Sequence, residues 1–359
     1  MASFAEFGND LYTGKRSFPV VAQRRRWFAI AAALIAISVL LLVFRQLNPG
    51  IEFRGGSEFL VSGTADAAEA PARAVLEDMG GEQVPRVTIV GGSSVRVQTE
   101  QLTVDETNAV QAELAAAYEV PAEDVTSSFV GPTWGADVTR KAFQGLFTFL
   151  VLVTLVMAAY FRTWTMAVAA LVALLNDVIV TVGLYAGIGF EVTPASVIGF
   201  LTILGYSLYD TVVVFDKVRE NTAHITEQTR VTYAEASNLA VNQTIVRSIN
   251  TSVVGVLPVA SILFVGAFLL GAGTLRDIAL ALFIGMIAST ASSIFIASPL
   301  EVALRERSPV IAEHTSKVLA ARARSSGGDT AAPAPAPVGG RVAGEHLGHA
   351  AQPHRRKRR

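Results

Sequence analysis

The sequence predicts a polytopic α-helical membrane protein with six transmembrane helices and one α+β, ferredoxin-like extracytoplasmic domain between spans 1 and 2. Three observations support this fold class. Hydrophobic residues make up 51% of the 359 residues and charged residues only 16%, whereas soluble domains carry about 25% charged residues. Six segments are apolar over roughly the 20 residues that a bilayer requires. Between the first and the second lies a polar stretch long enough to fold as a small domain.

The six predicted spans contain only two acidic residues. Asp177 lies about midway along span 3, and Asp210 lies in the last third of span 4. An acid in hydrocarbon costs about 2.5–3.5 kcal/mol on insertion scales, so each of them requires a reason. The predicted spans are Trp27–Phe44, Ala142–Phe161, Trp164–Gly189, Thr193–Phe215, Thr251–Ala272 and Ile278–Leu300, of which the last five form a bundle over residues 142–300.

The distribution of lysine and arginine predicts how the chain is oriented. Basic residues cluster before span 1, in the loop between spans 4 and 5, and in the final HRRKRR, whereas acidic residues outnumber basic ones between spans 1 and 2. Because basic loops remain on the cytoplasmic side, we expect both termini in the cytoplasm and the long loop outside. Span 1 has no small-residue cleavage site after it, which predicts an uncleaved anchor.

Residues 48–137 are predicted to form the extracytoplasmic α+β domain. Two helices are expected, Asp66–Met79 and Thr103–Tyr118, and the second opens with TVDE, which fits a capping box. Four strands are expected around them, EFLVSG, VPRVTIVGG, SSVRVQT and DVTSSFVG, with GGSS marking a hairpin. The order β-α-β-β-α-β is that of a split-βαβ, ferredoxin-like domain. Before it, Gly55 and Gly56 suit a tight turn or bulge, because glycine adopts positive φ without steric cost.

The segments outside the spans have distinct compositions. Residues 1–26 form a basic cytoplasmic leader, and residues 301–323 a charged cytoplasmic segment. Residues 324–359 are rich in Pro and Ala and end in a polybasic run, which predicts a disordered tail. The basic termini are expected to lie on anionic lipid, whose electrostatic attraction contributes about 1 kcal/mol of binding free energy per basic residue.

No sequence pattern in the chain supports an enzyme. The motifs GxxxxGK[ST], HExxH, GxSxG and GxGxxG are missing, and the five histidines have no ligand spacing. There is no cysteine, which excludes disulfides and thiolate metal sites. We therefore expect no cofactor, no metal site and no catalytic residue.

Polar residues in the membrane half suggest a site around Asp210. Helical spacing places Tyr206 and Ser207 one turn before it on the same side. A polar stripe at the start of span 5 contains Arg247, Asn250 and Thr251. If spans 4 and 5 are neighbours, Asp210 and Arg247 can pair. These residues alone leave two interpretations open, a proton relay or a static buried pair.

Four stretches resemble motifs of the SecD/SecF family, which belongs to the resistance-nodulation-division superfamily. They are IEFRGG at 51–56, LLNDVIVTVG at 174–183, GYSLYDTVVVFDKVREN at 205–221 and RSINTS at 247–252. Their order, with six spans and one outer domain, is similar to the SecF branch of the family over residues 15–300. One position departs from the pattern, because Tyr209 stands where many members carry asparagine.

The resemblance implies a subunit of the Sec translocase in the bacterial cytoplasmic membrane. It would act with SecD and use the proton-motive force to promote late steps of preprotein export. The implied partners also include the channel proteins SecY, SecE and SecG, YajC and YidC, and the preprotein. The implied relay residues are Asp210 and Arg247, supported by Asp177, Tyr206, Ser207, Asn250 and Thr251. The implied outer-domain base motif consists of Glu52, Phe53, Gly55 and Gly56.

Two other functions remain open from the sequence. The first is one half of a proton-driven small-molecule exporter of the same superfamily, although such pumps usually carry twelve spans and two large outer loops in one chain. The second is a purely structural translocon subunit in which Asp210 and Arg247 form a fixed pair. Whether a SecD-like chain associates with this one distinguishes the exporter from a Sec subunit. A charge-neutralising variant that still assembles distinguishes the structural subunit from a proton-coupled one.

Overall fold

The computed structural model describes residues 4–64, 67–78, 86–90, 93–269 and 273–326. Within these residues, six helical segments are long and apolar enough to cross a membrane, as predicted. The α-helices are α1 Phe4–Tyr12, α2 Arg24–Phe44, α3 Ile51–Arg54, α4 Glu69–Asp78, α5 Val104–Ala117, α6 Pro132–Phe161, α7 Trp164–Ile188, α8 Pro194–Thr222, α9 Tyr233–Ser261, α10 Gly273–Ser292, α11 Ser298–Arg305 and α12 Pro309–Ser326. Two π-helical segments, Ile262–Leu269 and Ser293–Ala297, continue α9 and α10. Spans 1 to 6 are α2, α6, α7, α8, α9 with its continuation, and α10 through α11.

Several spans are longer than the helices that the apolar runs of the sequence predict. Span 5 begins at Tyr233 instead of Thr251, so the polar stretch before Thr251 is helical. Its start is fixed by a capping box in which the Thr232 hydroxyl accepts from the Glu235 N–H at 3.2 Å and the Glu235 carboxylate accepts from the Thr232 N–H at 2.9 Å. Apolar length marks only the part of a helix that lies in hydrocarbon, whereas the ends are set by capping residues farther out.

The segment between spans 1 and 2 contains a four-stranded antiparallel sheet. Its strands are β2 Gly56–Val61, β3 Arg86–Val90, β4 Ser94–Thr99 and β5 Val125–Val130, in the order β3-β4-β2-β5. Helices α4 and α5 supply the core with the sheet, around Phe59, Val97 and Leu114. The predicted capping box at Thr103 is present. The Asp66–Met79 helix is seen as Glu69–Asp78, and the first two residues of the predicted GGSS turn lie outside the described residues.

Gly55 and Gly56 form a tight turn, as expected. Gly55 ends the short helix α3 with φ of 80°, and Gly56 opens β2 with φ of 135°. A Cβ on Gly56 would collide with the backbone oxygen of Thr99 on the neighbouring strand. Only glycine satisfies both the backbone conformation and this close approach.

A second, very short ladder connects this segment to the bundle. Strand β1, Asn48–Pro49, pairs in parallel with β6, Glu191–Val192, in the loop between spans 3 and 4. The Gly50 N–H also donates to the Val192 oxygen at 2.9 Å. The chain is therefore tied to the bundle immediately before the sheet begins.

The spans pack closely where small residues meet. A Cβ on Gly183 of span 3 would lie 2.6 Å from the Ser38 Cα of span 1, so the two backbones approach as glycine-mediated membrane helices do. Spans 4 and 6 also contact each other, with Ile203 packed against Ala281.

The N-terminal leader is packed against span 5. The buried Asn242 side chain accepts from the Phe18 N–H at 2.7 Å and donates to the Phe18 oxygen at 3.0 Å. Arg24 forms an ion pair with Glu306 at 2.5 Å. The charged segment predicted at 301–323 is helical, in α11 and α12, and residues from 327 onward lie outside the described part.

Candidate functional site

Asp177 lies fully buried where spans 3, 4 and 6 meet. Its Oδ2 accepts a hydrogen bond from the Ser207 Oγ at 2.6 Å, and its Oδ1 accepts from the Asn176 Nδ2 at 3.3 Å. Ser292 of span 6 lies beside the same carboxyl group. Only 1% of Asp177 is exposed. The partner of Ser207 is therefore Asp177, and not Asp210 as the sequence suggested, because Ser207 faces span 3.

Asp210 is also buried, but it faces span 5. Its Oδ1 accepts a hydrogen bond from the Ser248 Oγ at 2.7 Å. Its Oδ2 has no hydrogen-bond partner among the described residues. A buried carboxylate oxygen without a donor is costly in its charged form. Protonation of this group would remove the uncompensated charge.

Hydroxyl groups around Asp210 connect spans 4, 5 and 6. Thr211 and Ser293 lie 2.9 Å apart, and Ser252 and Thr290 lie 2.6 Å apart, between their hydroxyl oxygens. The Tyr206 hydroxyl lies 3.5 Å from Ser252. Serine and threonine hydroxyls both donate and accept, so such a network can pass a proton without a net change in its own atoms.

Arg247 does not pair with Asp210 in this structure. Its side chain is exposed, and among the described residues no ion pair joins the two. Successive residues of an α-helix are rotated by about 100°, so Arg247 and Ser248 face different directions, and Arg247 acts on Asp210 only through its charge, without a direct contact. Asn250 is exposed and Thr251 half-buried. The two side chains form no direct ion pair in this conformation, and their joint role in a relay stays a prediction.

The structure adds residues that the sequence analysis missed. Ser248, one position along from Arg247, is the residue of span 5 that contacts Asp210, and it lies four residues from Thr244 and from Ser252. This four-residue spacing is a visible sequence signal. Ser293 of span 6 also belongs to this network, because its hydroxyl lies 2.9 Å from that of Thr211.

The base motif lies where the α/β segment meets the bundle. Arg96 of β4 approaches the Glu191 carboxylate at 3.4 Å and the Glu58 carboxylate at 3.6 Å. The Gln98 Nε2 donates to Glu191 at 2.5 Å and to Glu58 at 3.0 Å. The Glu52 carboxyl faces the same group and leaves Oε2 buried without a partner among the described residues. Arg96 is therefore ion-paired with two carboxylates, Glu58 and Glu191, while the Glu52 carboxyl lies beside them without an ion pair among the described residues.

Phe53 and the helix that carries it fix this contact. Phe53 packs against Tyr185, Val192 and Ile203 of the bundle. Its backbone oxygen lies so near Gly135 that a Cβ there would be 2.5 Å away. Of the four base-motif residues, Phe53 therefore anchors the turn, the two glycines shape it, and Glu52 adds charge.

We expect Glu52→Gln to stabilise the protein at neutral pH. Burial raises the pKa of Glu52 above its ordinary value near 4.5, and Glu191 and Glu58 raise it further. Folding therefore favours the protonated form of Glu52. The stability that this form contributes to the protein is present below pH 4.5 and is lost as the pH rises through the raised pKa. The melting temperature at pH 7 should rise by about 1 °C and be unchanged at pH 4.

The matched control for this prediction is Glu58→Gln. Glu58 is paired with Arg96 and hydrogen-bonded to Gln98, so its neutralisation should lower the melting temperature or leave it unchanged. Thermal unfolding of both purified variants at pH 4 and pH 7 measures the difference. A lower melting temperature for Glu52→Gln at pH 7 would contradict the prediction.

Family comparison places this arrangement in a known context. The family described as "Protein export membrane protein SecD/SecF, C-terminal" matches residues 109–307, and "SecD/SecF GG Motif" matches residues 40–67. The chain belongs to the SecD/SecF family. The first SecD/SecF match contains Asp177, Asp210 and Arg247, and the second contains the base motif with Gly55 and Gly56.

Individual SecF proteins are similar over most of their length. Protein translocase subunit SecF of Streptomyces coelicolor is 44% identical over 326 residues, which is 91% of this chain and 87% of the relative. SecF of Mycobacterium tuberculosis is 44% identical over 330 residues, 89% of this chain and 74% of the relative. Protein translocase subunit SecDF of Thermus thermophilus is 32% identical over 287 residues, 79% of this chain and 38% of that longer protein.

The fold is also similar to crystal structures of SecDF. SecDF from Thermus thermophilus, described as a translocon-associated membrane protein, matches with a TM-score of 0.73 at 30% identity, over 81% of this chain and 39% of that one. SecDF in a super-membrane-facing form matches with a TM-score of 0.60 at 29% identity, over 84% and 40%. This chain therefore spans about two fifths of the SecDF chains.

Proposed function

We propose that this chain is a SecF-type subunit of the Sec protein translocase that acts with SecD. It uses the proton-motive force to promote late steps of preprotein export across the bacterial cytoplasmic membrane. The observation that carries the proposal is the buried Asp210, whose carboxyl group has one serine donor and one unpartnered oxygen. Membership in the SecD/SecF family, with 44% identity to named SecF subunits, supports the same function.

Protonation of Asp210 is the step that couples the gradient to motion. The charged carboxylate holds Ser248 of span 5, and the neutral acid no longer requires that donor. Spans 4 and 5 can then repack against each other. A proton that crosses 100 mV releases about 2.3 kcal/mol, which shifts a two-state equilibrium by about fiftyfold.

Exposed residues beside Asp210 support SecD as the partner of this chain. Arg247, Asn250 and Tyr209 are exposed beside the buried Asp210, and a charged side chain facing lipid at this depth is costly. A second protein on this surface would remove that cost. The Thermus SecDF relative supports this partner, because a region similar to this chain covers only 38% of it. In this complex Arg247 can turn toward Asp210 and join the relay, with Asp177, Tyr206 and Ser207 in support.

The proposed subunit has a defined orientation in the membrane and several partners besides SecD. Both termini lie in the cytoplasm, and the segment between spans 1 and 2 is an extracytoplasmic, ferredoxin-like domain. Its strand order and its two helices support this classification. The other partners are SecY, SecE and SecG, YajC and YidC, the preprotein, and anionic lipid at the basic termini. The subunit is not an enzyme.

Reconstituted export tests the proposal directly. Proteoliposomes with the Sec channel would receive this chain and SecD, either chain alone, or neither, and preprotein protected inside the vesicles would be measured with and without a proton gradient. We expect gradient-dependent stimulation only when both chains are present. Equal export without them would contradict the proposal, and gradient-driven efflux of small molecules in its place would favour the exporter function.

A further inference from the structure

Glu301 is a buried carboxyl group that the mechanism above does not use. It lies in α11, at the end of span 6, and only 1% of it is exposed. Its Oε1 accepts a hydrogen bond from the Tyr233 hydroxyl at 2.8 Å. Its Oε2 is buried without a partner, and among the described residues no basic side chain forms an ion pair with it.

The groups around Glu301 do not neutralise a charge at this position. Arg305 and Glu306 of its own helix lie nearby with opposite charges, and Glu306 is already paired with Arg24 of span 1. Tyr233 of span 5 supplies a hydroxyl but no charge. Ionisable residues buried inside a membrane protein are candidates for proton-binding sites.

Span 6 passes through a π-helical segment, Ser293–Ala297, shortly before Glu301. The Ser298 Oγ donates to the Ser293 backbone oxygen at 3.1 Å, five residues earlier. Ser298 lies one turn before Glu301, and the Ser293 hydroxyl lies 2.9 Å from that of Thr211. The two serine hydroxyls before Glu301 therefore already have hydrogen-bond partners of their own.

A short route leads from Glu301 to the aqueous surface. The Tyr233 hydroxyl lies near the Thr222 hydroxyl at the end of span 4. Thr222 is half-buried, and its neighbours Ala223 and His224 are exposed. Glu301, Tyr233 and Thr222 therefore form a short series of polar groups that ends beside exposed residues.

We propose that Glu301 is a second proton-binding carboxyl group, separate from Asp210, at the end of the bundle. Its proton exchanges with water through the Tyr233 and Thr222 hydroxyls. At each hydroxyl one O–H bond forms as another breaks, so one proton moves and nothing else changes. The inference rests on the proposed proton-coupled function and adds a second proton-binding site to it.

Proton flux in reconstituted vesicles tests this assignment. Full-length chain and SecD would be incorporated with a pH-sensitive dye inside, and Glu301→Gln would be compared with wild type and with Glu306→Gln. Glu306→Gln removes a nearby carboxylate that is paired with Arg24 and partly exposed. We expect at least a tenfold loss of flux for Glu301→Gln and less than a twofold change for Glu306→Gln. Flux within twofold of wild type in Glu301→Gln would overturn the proposal.

Tyr233→Phe separates a structural role from a proton-transfer role. Phenylalanine keeps the ring in its pocket but removes the hydroxyl, so we expect slower flux with an unchanged melting temperature and unchanged association with SecD. If Tyr233→Phe and Glu301→Gln both lower stability and leave flux per assembled complex intact, the hydrogen bond is only structural and the proposal is wrong.

Infrared difference spectroscopy distinguishes failure of this inference from failure of the proposed function. A carboxyl band that titrates in wild type and is lost in Glu301→Gln, but retained in Asp210→Asn, would assign proton binding to Glu301 even in vesicles without net flux. Wild-type flux that collapses in Asp210→Asn but not in Glu301→Gln would retain the proposed function and reject this second site. No Glu301-dependent band would also reject it.

Discussion

Replacement of Asp210 by asparagine is expected to lower gradient-dependent export at least tenfold. Asparagine has nearly the same shape and can still accept a hydrogen bond from Ser248, but it cannot bind and release a proton in this pH range. Packing of spans 4 and 5 should therefore survive while coupling is lost. Export with and without a proton gradient, measured in proteoliposomes with SecD and the Sec channel, checks this result.

Asp216→Asn is the matched control for this prediction. It is the same substitution on the same helix, but Asp216 is exposed, and its export should remain within twofold of wild type. Both variants should associate with SecD as wild type does. Gradient-dependent export that persists in assembled Asp210→Asn would show that Asp210 is a structural group, and the proton carrier would then have to lie elsewhere.

Replacement of Gly56 by alanine is expected to destabilise the junction between the α/β segment and the bundle by about 2–4 kcal/mol. Two effects add at this residue. Its φ of 135° lies where residues with a Cβ are strained, and the new Cβ would collide with the Thr99 backbone oxygen, which is held in the β2–β4 ladder. Thermal unfolding, together with the rate of protease cleavage in the α/β segment, measures the loss.

Gly63→Ala separates these two effects. Gly63 also has a positive φ, of 72°, but nothing lies within 4 Å of an added Cβ. Its substitution should therefore cost only about 1 kcal/mol. Equal destabilisation by both substitutions would mean that φ alone matters at Gly56, and that the contact with Thr99 adds nothing.

The sequence predicted the number and order of the spans well, because long apolar runs have few alternatives in a membrane. It placed several boundaries poorly. Span 2 begins at Pro132 instead of Ala142, and span 5 begins at Tyr233 instead of Thr251. In both cases the helix continues through polar residues whose hydropathy gives no signal. Span 2 starts with a proline at its first position, and span 5 starts at a capping box.

The candidate site was predicted in part. Asp177 and Asp210 stand out because acids are rare in apolar runs. Their partners could not be read from spacing alone, since one residue rotates a helical stripe by about 100°. This rotation decides whether Arg247 or Ser248 faces Asp210. Glu301 was missed because it lies beyond the predicted end of span 6, among charged residues that looked solvated.

The β1–β6 ladder connects the α/β segment to the start of span 4, so a tilt of span 4 would move that segment. Its bundle-side strand, Glu191–Val192, directly precedes span 4, and Asp210 lies about 25 Å farther along that rigid helix at 1.5 Å per residue. A tilt of about 10° pivoting at Asp210 would displace the ladder by about 4 Å over this arm. A change in the charge of Asp210 can thus move the sheet by several ångströms without any contact between Asp210 and the sheet.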